Sequence, residues 1–191
     1  MYDFDKEIDR RGSCSVKYDS LKEVFGREDL LPMWVADMDF RTAPGVLKAV
    51  RDAADLGVFG YGFRSADSVD SFIAWVESRY NWSVRREWVS SAPGIVAALP
   101  LAINALTSAG EKILIQTPVY PPFHAIVKEN GRTLVKSPLI NTGSGWEIDW
   151  ADFESRLADG VKMFILCSSH NPLGRIWSPE ELKRMGDLCC K

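Results

Sequence analysis

Three short turns hold the residues with chemical potential. Ala92-Pro93-Gly94-Ile95-Val96 precedes an apolar helical run. Its backbone N–H groups therefore lie at a helix start, where unpaired donors and the helix dipole suit a phosphate. Thr117-Pro118-Val119-Tyr120-Pro121-Pro122 sets Tyr120 among prolines, which hold its ring stiffly enough to stack on a flat heterocycle. Ser168 to Gly174 reads SSHNPLG and offers Asn171, whose carboxamide can donate to a phenolate oxygen while Pro172 keeps the asparagine extended. Taken singly, each has an ordinary reading: a strand-to-helix turn, a core aromatic, and a turn-forming Asn-Pro pair. Together, phosphate donors, an aromatic face and an amide donor outline a site for pyridoxal phosphate (PLP).

The elements that must position these turns alternate. Residues 1–41 are mixed, with a short amphipathic piece near Leu21 to Phe25, and LLPMWVADMDF (30–40) reads as an extended, largely buried segment. A helix is expected from Thr42, with Pro44 in its first turn and Gly57 as a left-handed cap. The glycine-rich GVFGYGF (57–63) is loop, and a second helix runs from about Ala66 to Tyr80. From Trp88 the pattern becomes strand and helix in turn. A strand WVSS leads into the helix IVAALPLAINAL, apolar all round and so expected to be buried. The strand ILIQ, a helix after Tyr120, the strand TLVKSPL and a helix near Trp150 to Leu157 follow. The strand MFILCSS then leads to a final helix with Ser178 as N-cap, Pro179 first and Glu181 completing a capping box. Such alternation predicts an α/β fold, a mostly parallel sheet with helices on both faces and ligands at the carboxyl ends of its strands.

Composition narrows the function. The 191 residues are 46% hydrophobic and 26% charged, with a net charge of -3, as in a folded globular chain. No basic run points to nucleic acid or an anionic membrane, and the longest apolar stretch, Ile95 to Leu106, falls short of a bilayer span. The N-terminus lacks the apolar core of a secretory signal. Cys14, Cys167, Cys189 and Cys190 form no CxxC, and no histidine stands at metal-ligand spacing, so a cytoplasmic protein with reduced thiols and no metal site is expected. His124 reads as a surface or capping residue, and His170 as either turn packing or part of the site mouth.

LLPMWVADMDF, GVFGYGF, APGIVAALPLAI, TPVYPPF and CSSHNPLGRIW, in that order, resemble fold-type I PLP enzymes, specifically the cystathionine β-lyase-like (C–S lyase) subgroup of the class I/II aminotransferase superfamily. The resemblance covers the N-terminal part of such enzymes. It implies the aspartate aminotransferase-like fold, with residues 1–45 belonging to the small domain or active-site entrance and residues 46–191 to an incomplete PLP-binding large domain. By the same resemblance Gly94, Ile95 and Val96 hold the cofactor phosphate, Tyr120 stacks on the pyridine ring and Asn171 bonds the ring's 3′ oxygen. Tyr61 reaches the phosphate of a neighbouring subunit's cofactor, which implies a homodimer with shared sites. The backbone of Ala36 meets the carboxylate of a small amino-acid substrate. Ser169 replaces a common proline and Leu173 a smaller residue; neither removes a cofactor contact.

The family's Schiff-base lysine, ring-nitrogen aspartate and substrate-carboxylate arginine are expected beyond Lys191. No lysine here follows Ser or Thr as the family lysine does. A truncated chain, inactive alone, is the corresponding expectation. For the full-length protein the resemblance implies β-elimination on cystathionine or a related sulfur amino acid, releasing thiol, ammonia and pyruvate. Aminotransfer is the alternative reaction, and a noncatalytic PLP-fold binding or regulatory module is the alternative of another class.

Overall fold

A computed structural model describes residues 3–63 and 65–191. Two compact units part at Ser68/Val69.

The first unit contains α1 (Val16–Asp19), α2 (Leu21–Phe25) and α3 (Pro44–Leu56). Pro44 opens α3 with Ala43 as N-cap, two residues later than the Thr42 start expected, because a proline at the first helical position gives up no needed N–H. Gly57 closes it at φ 68°, as its sequence position predicts. The segment 30–40 is not the largely buried run expected. Pro32 is buried, but Leu31, Met33 and Met38 are more than 80% exposed. Apolar composition alone does not supply a neighbour to cover it.

α4 (Ala66–Tyr80) leads into the second unit, which continues through α5 (Ile95–Leu106), β1 (Lys112–Thr117), α6 (Pro122–Glu129), β2 (Thr133–Pro138), the small hairpin β3 (Ile140–Asn141) and β4 (Trp146–Glu147), α7 (Trp150–Ala158), β5 (Val161–Ile165) and α8 (Pro179–Cys189). The expected strand WVSS is absent. Arg86–Trp88 form a 3-10 turn and residues 89–91 belong to no strand among the described residues. A strand is held by its ladder, and no described strand is paired with that segment.

The sheet has the order β2-β1-β5 and is parallel throughout. Alternation along the central strand sorts two cores. Ile113 and Ile115 point to one face, where α5 and α6 contribute Ile103, Phe123, Ile126 and Val127. Leu114 points to the other, where α7 and α8 contribute Phe153 and Met185, with Trp177 from the preceding loop. Helices thus cover both faces, and β1 reads as an unbroken apolar run because neither side meets water.

α5 departs from expectation. Only Ile103 is buried, while Ile95, Leu101 and Leu106 are more than 60% exposed. One helix face rests on the sheet, and no described residue covers the other. Its far end is well anchored. The Arg132 guanidinium donates to the Thr107 carbonyl (2.6 Å), the Thr107 hydroxyl (3.0 Å) and Asn104 Oδ1 (2.7 Å), and also to the Asn130 carbonyl. That cation serves the carboxyl ends of α5 and α6 together, where the dipole favours positive charge. No described helix is long and apolar enough to cross a membrane.

Candidate active site

The site is built at the carboxyl edge of the sheet. β1 ends at Thr117 and runs directly into the turn that presents Tyr120; β5 ends at Ile165 and runs into the loop that presents Asn171. α5 reaches β1 through a connection of five residues, 107–111, so helix and strand run in opposite directions. The start of α5, with Gly94, therefore lies at that same edge. Packing agrees with topology, since Leu99 of α5, Tyr120 and Cys167 all rest on one apolar cluster.

Gly94 is the N-cap of α5 with φ 149° and ψ 165°, a conformation that only glycine adopts readily. A Cβ there would meet no heavy atom within 4 Å, so the backbone and not space demands glycine. No side chain caps the helix and its first turn carries no acid. Ala98 N–H donates to the Gly94 carbonyl, which leaves the N–H groups of Ile95, Val96 and Ala97 ahead of the first helical bond. Ile95 and Val96 themselves are exposed. An uncapped, acid-free start on a helix of 12 residues is suited to an anion.

Tyr120 is half-buried, its ring set edge-on to Phe123 with centroids 6.0 Å apart. Its carbonyl accepts from Phe123 N–H, which starts α6 and fixes the turn. The Asn171 side chain is exposed, and among the described residues its carboxamide bonds to nothing.

The loop under Asn171 is braced on all sides. Its N–H donates to Cys167 Sγ (3.3 Å), and Trp177 Nε1 donates to the Cys167 carbonyl (2.8 Å). His170 N–H donates to the Arg175 carbonyl and the His170 carbonyl accepts from Gly174 N–H, both at 2.8 Å. Arg175 pairs with Glu181 at 2.7 Å and lies 4.3 Å over the Trp177 ring. Glu181 also closes the Ser178 capping box of α8, so helix start and loop are fixed together.

His170 is packing rather than mouth. It is 2% exposed, lies edge-on to Trp177 at 5.7 Å, and neither ring nitrogen has a partner among the described residues. Burial, helped by the Arg175 charge, pushes its pKa below the ordinary value and keeps it neutral. His124 is shifted the same way, first by desolvation and then by Lys136 and Lys128.

Ala36 and Tyr61 belong to the first unit. Tyr61 is fully exposed in the loop after α3. Ala36 sits in an extended segment whose shape is set by cations. Arg10 pairs with Asp37 (2.7 Å) and Asp39 (3.1 Å), Lys17 pairs with Asp39 (2.6 Å), and Lys17 Nζ also donates to the Asp37 carbonyl (3.2 Å). Tyr18 donates to Asp39 at 3.0 Å, and Trp34 Nε1 to the Lys17 carbonyl at 3.1 Å. Hydrogen bonds from Arg10 and Lys17 hold the Asp37 and Asp39 carboxyls below their usual range. Sequence reasoning missed Arg10 and Lys17; the alternating acids at 37 and 39 were the available signal.

An anion-accepting helix start, an aromatic ring and an unengaged carboxamide on one edge are chemically fit for a flat phosphorylated ring. Comparison with known proteins agrees. Residues 28–191 match the family of class I and II aminotransferases. The chain is 43% identical over 187 residues to the cystathionine beta-lyase PatB of Bacillus subtilis, an alignment covering 97% of this chain and 48% of that protein. The PLP-bound C-S lyase of Staphylococcus hominis superposes with a TM-score of 0.86 at 34% identity, over 98% of this chain and 48% of that one. Cystalysin of Treponema denticola, which contains pyridoxal 5′-phosphate, gives a TM-score of 0.90 at 28% identity, over 100% and 49%. The chain spans about half the length of the relatives it matches.

Proposed function

The chain belongs to the class I and II aminotransferase family, and on that premise we propose that its carboxyl-edge site holds pyridoxal phosphate in a C–S lyase. Its substrate is cystathionine or a related sulfur amino acid, from which the full-length protein releases thiol, ammonia and pyruvate. The N–H groups of Ile95 and Val96, with the turn at Gly94, hold the phosphate. Tyr120 stacks on the ring and fixes its plane. Asn171 donates its carboxamide N–H to the ring's 3′ oxygen and stabilises negative charge there. The backbone at Ala36 receives the substrate carboxylate. Tyr61 reaches the phosphate in a second copy of the chain, making a cytoplasmic homodimer with shared sites. Residues 1–45 serve the small domain or the entrance and residues 46–191 the cofactor-binding domain.

Bound through a lysine, PLP supplies the electron sink that lets an α-proton leave and a β-thiolate depart. That lysine is proposed to lie outside residues 1–191, since none here follows Ser or Thr. The observation that carries the reading is the free, acid-free start of α5 on the same sheet edge as Tyr120 and Asn171. The choice of lyase is supported by the named activity of the relative at 43% identity. The family's description favours a second reading, aminotransfer. Full-length protein loaded with PLP and given cystathionine separates them. Pyruvate released without an added keto acid supports the lyase; amino transfer that requires a keto acid, with no pyruvate, rejects it.

A further inference from the structure

Asn171 lies outside any helix or strand and is exposed, yet its proposed task requires a carboxamide held at a fixed point. Within the braced loop, the main-chain groups of Asn171 itself are held by one sulfur. The Asn171 N–H donates to Cys167 Sγ at 3.3 Å, and the thiol lies 3.9 Å from the Asn171 carbonyl and 3.8 Å from that of Ser169, both within reach of its S–H. Both main-chain polar groups of Asn171 are therefore directed at one side chain. Cys167 is itself immobilised. Its carbonyl accepts from Trp177 Nε1, Trp177 is 2% exposed, and the Cys167 side chain rests on the cluster that carries Tyr120.

We propose that Cys167 is a positioning residue, whose thiol fixes the Asn171 backbone so that the carboxamide is presented to the ring oxygen of the cofactor. The inference rests on the role of Asn171 given above. An amide donor at that oxygen stabilises its negative charge and loosens the proton on the nitrogen of the lysine link. Slackening the donor therefore raises the pH midpoint of the cofactor's visible band.

The test compares wild type, Cys167→Ala, Asn171→Ala and the double variant as full-length holoenzymes. It reads the midpoint of that band and the PLP affinity of each apoenzyme. Asn171→Ala is expected to move the midpoint up by roughly one pH unit, the worth of one charge-assisted bond. Cys167→Ala moves it the same way by less, and the double variant moves it no further than Asn171→Ala, because the thiol acts through the asparagine. A merely structural thiol would lower thermal stability and leave the midpoint in place. A Cys167→Ala midpoint equal to wild type, or a double-variant shift equal to the sum of the singles, overturns the inference. Wild type that develops no visible band with PLP, or an Asn171→Ala midpoint that stays put, overturns the underlying reading as well. If Cys167→Ala fails to fold, Cys167→Ser, with its shorter reach to the same N–H, takes its place and is expected to give an intermediate shift.

Discussion

Replacing Gly94 by alanine isolates the contribution of one backbone conformation to anion binding. Because a Cβ at this position meets no heavy atom within 4 Å, the substitution causes no collision. All of its cost comes from φ 149° and ψ 165°, a region that is essentially glycine's alone and costs other residues about 1–3 kcal/mol. That energy is lost in one of two places. If the turn keeps its shape, the folded protein is destabilised by about that amount. If the turn relaxes, the N–H groups of Ile95 and Val96 swing off the phosphate and PLP affinity falls by about 5- to 150-fold. Urea unfolding of apoenzyme and PLP titration, carried out on the same full-length preparation, measure the two parts, and their sum is expected within 1–3 kcal/mol. Gly45→Ala in α3 is the control. It too meets nothing within 4 Å but has no unusual φ, so it should raise stability by about 0.4–1 kcal/mol and leave PLP binding alone. Gly94→Ala with unaltered stability and unaltered affinity would refute the assignment of this turn.

Phe153 is fully buried and set edge-on to Phe164 at 5.0 Å; Phe153→Ala should cost about 3–5 kcal/mol in urea unfolding, and a loss below about 1 kcal/mol would mean another ring fills the space. His170 has a lowered folded-state pKa, so its contribution is complete above the unfolded value near 6.5 and is lost as pH falls from there through the folded value. His170→Phe should flatten the stability profile in that window while leaving the separate loss below about 3.8, where Asp37 and Asp39 protonate. Lys17→Met should raise the KM for the amino-acid substrate by roughly tenfold or more with kcat nearly unchanged, because it loosens the segment around Ala36; Lys17→Arg should restore it, and a fall in kcat at constant KM would contradict the role.

Local signals with a single physical meaning were legible in the sequence. Ser178, Pro179 and Glu181 specify a helix start through their own side chains, and the capping box is there. Gly57 ends α3 in the left-handed conformation its position requires. Both helical layers were legible too, because Ile113, Leu114 and Ile115 form a run that only a strand covered on two sides can carry. What depends on distant partners was not. WVSS has strand composition but lies in no described strand, and IVAALPLAINAL is apolar on a face that no described residue covers. At the site, the turns holding Gly94, Tyr120 and Asn171 were found by residue type. The sulfur under Asn171 was not, since an N–H bond to a thiol four positions back arises from how the loop doubles on itself.

The two apolar layers lie on opposite faces of the sheet, with β1, β2 and β5 each sending residues to both. They are consequently insulated, and damage on one side cannot be repaired from the other. A void opened at Ile113 will be compensated by enlarging Val127 or Ile165, whereas one opened at Phe153 will be compensated at Met185 or Leu114. The turns of Tyr120 and Asn171 follow the ends of β1 and β5, but Tyr120 and Cys167 rest on the first layer and Trp177 of the second bonds the Cys167 carbonyl, so a change in either interior is transmitted to the reactive edge through these few contacts.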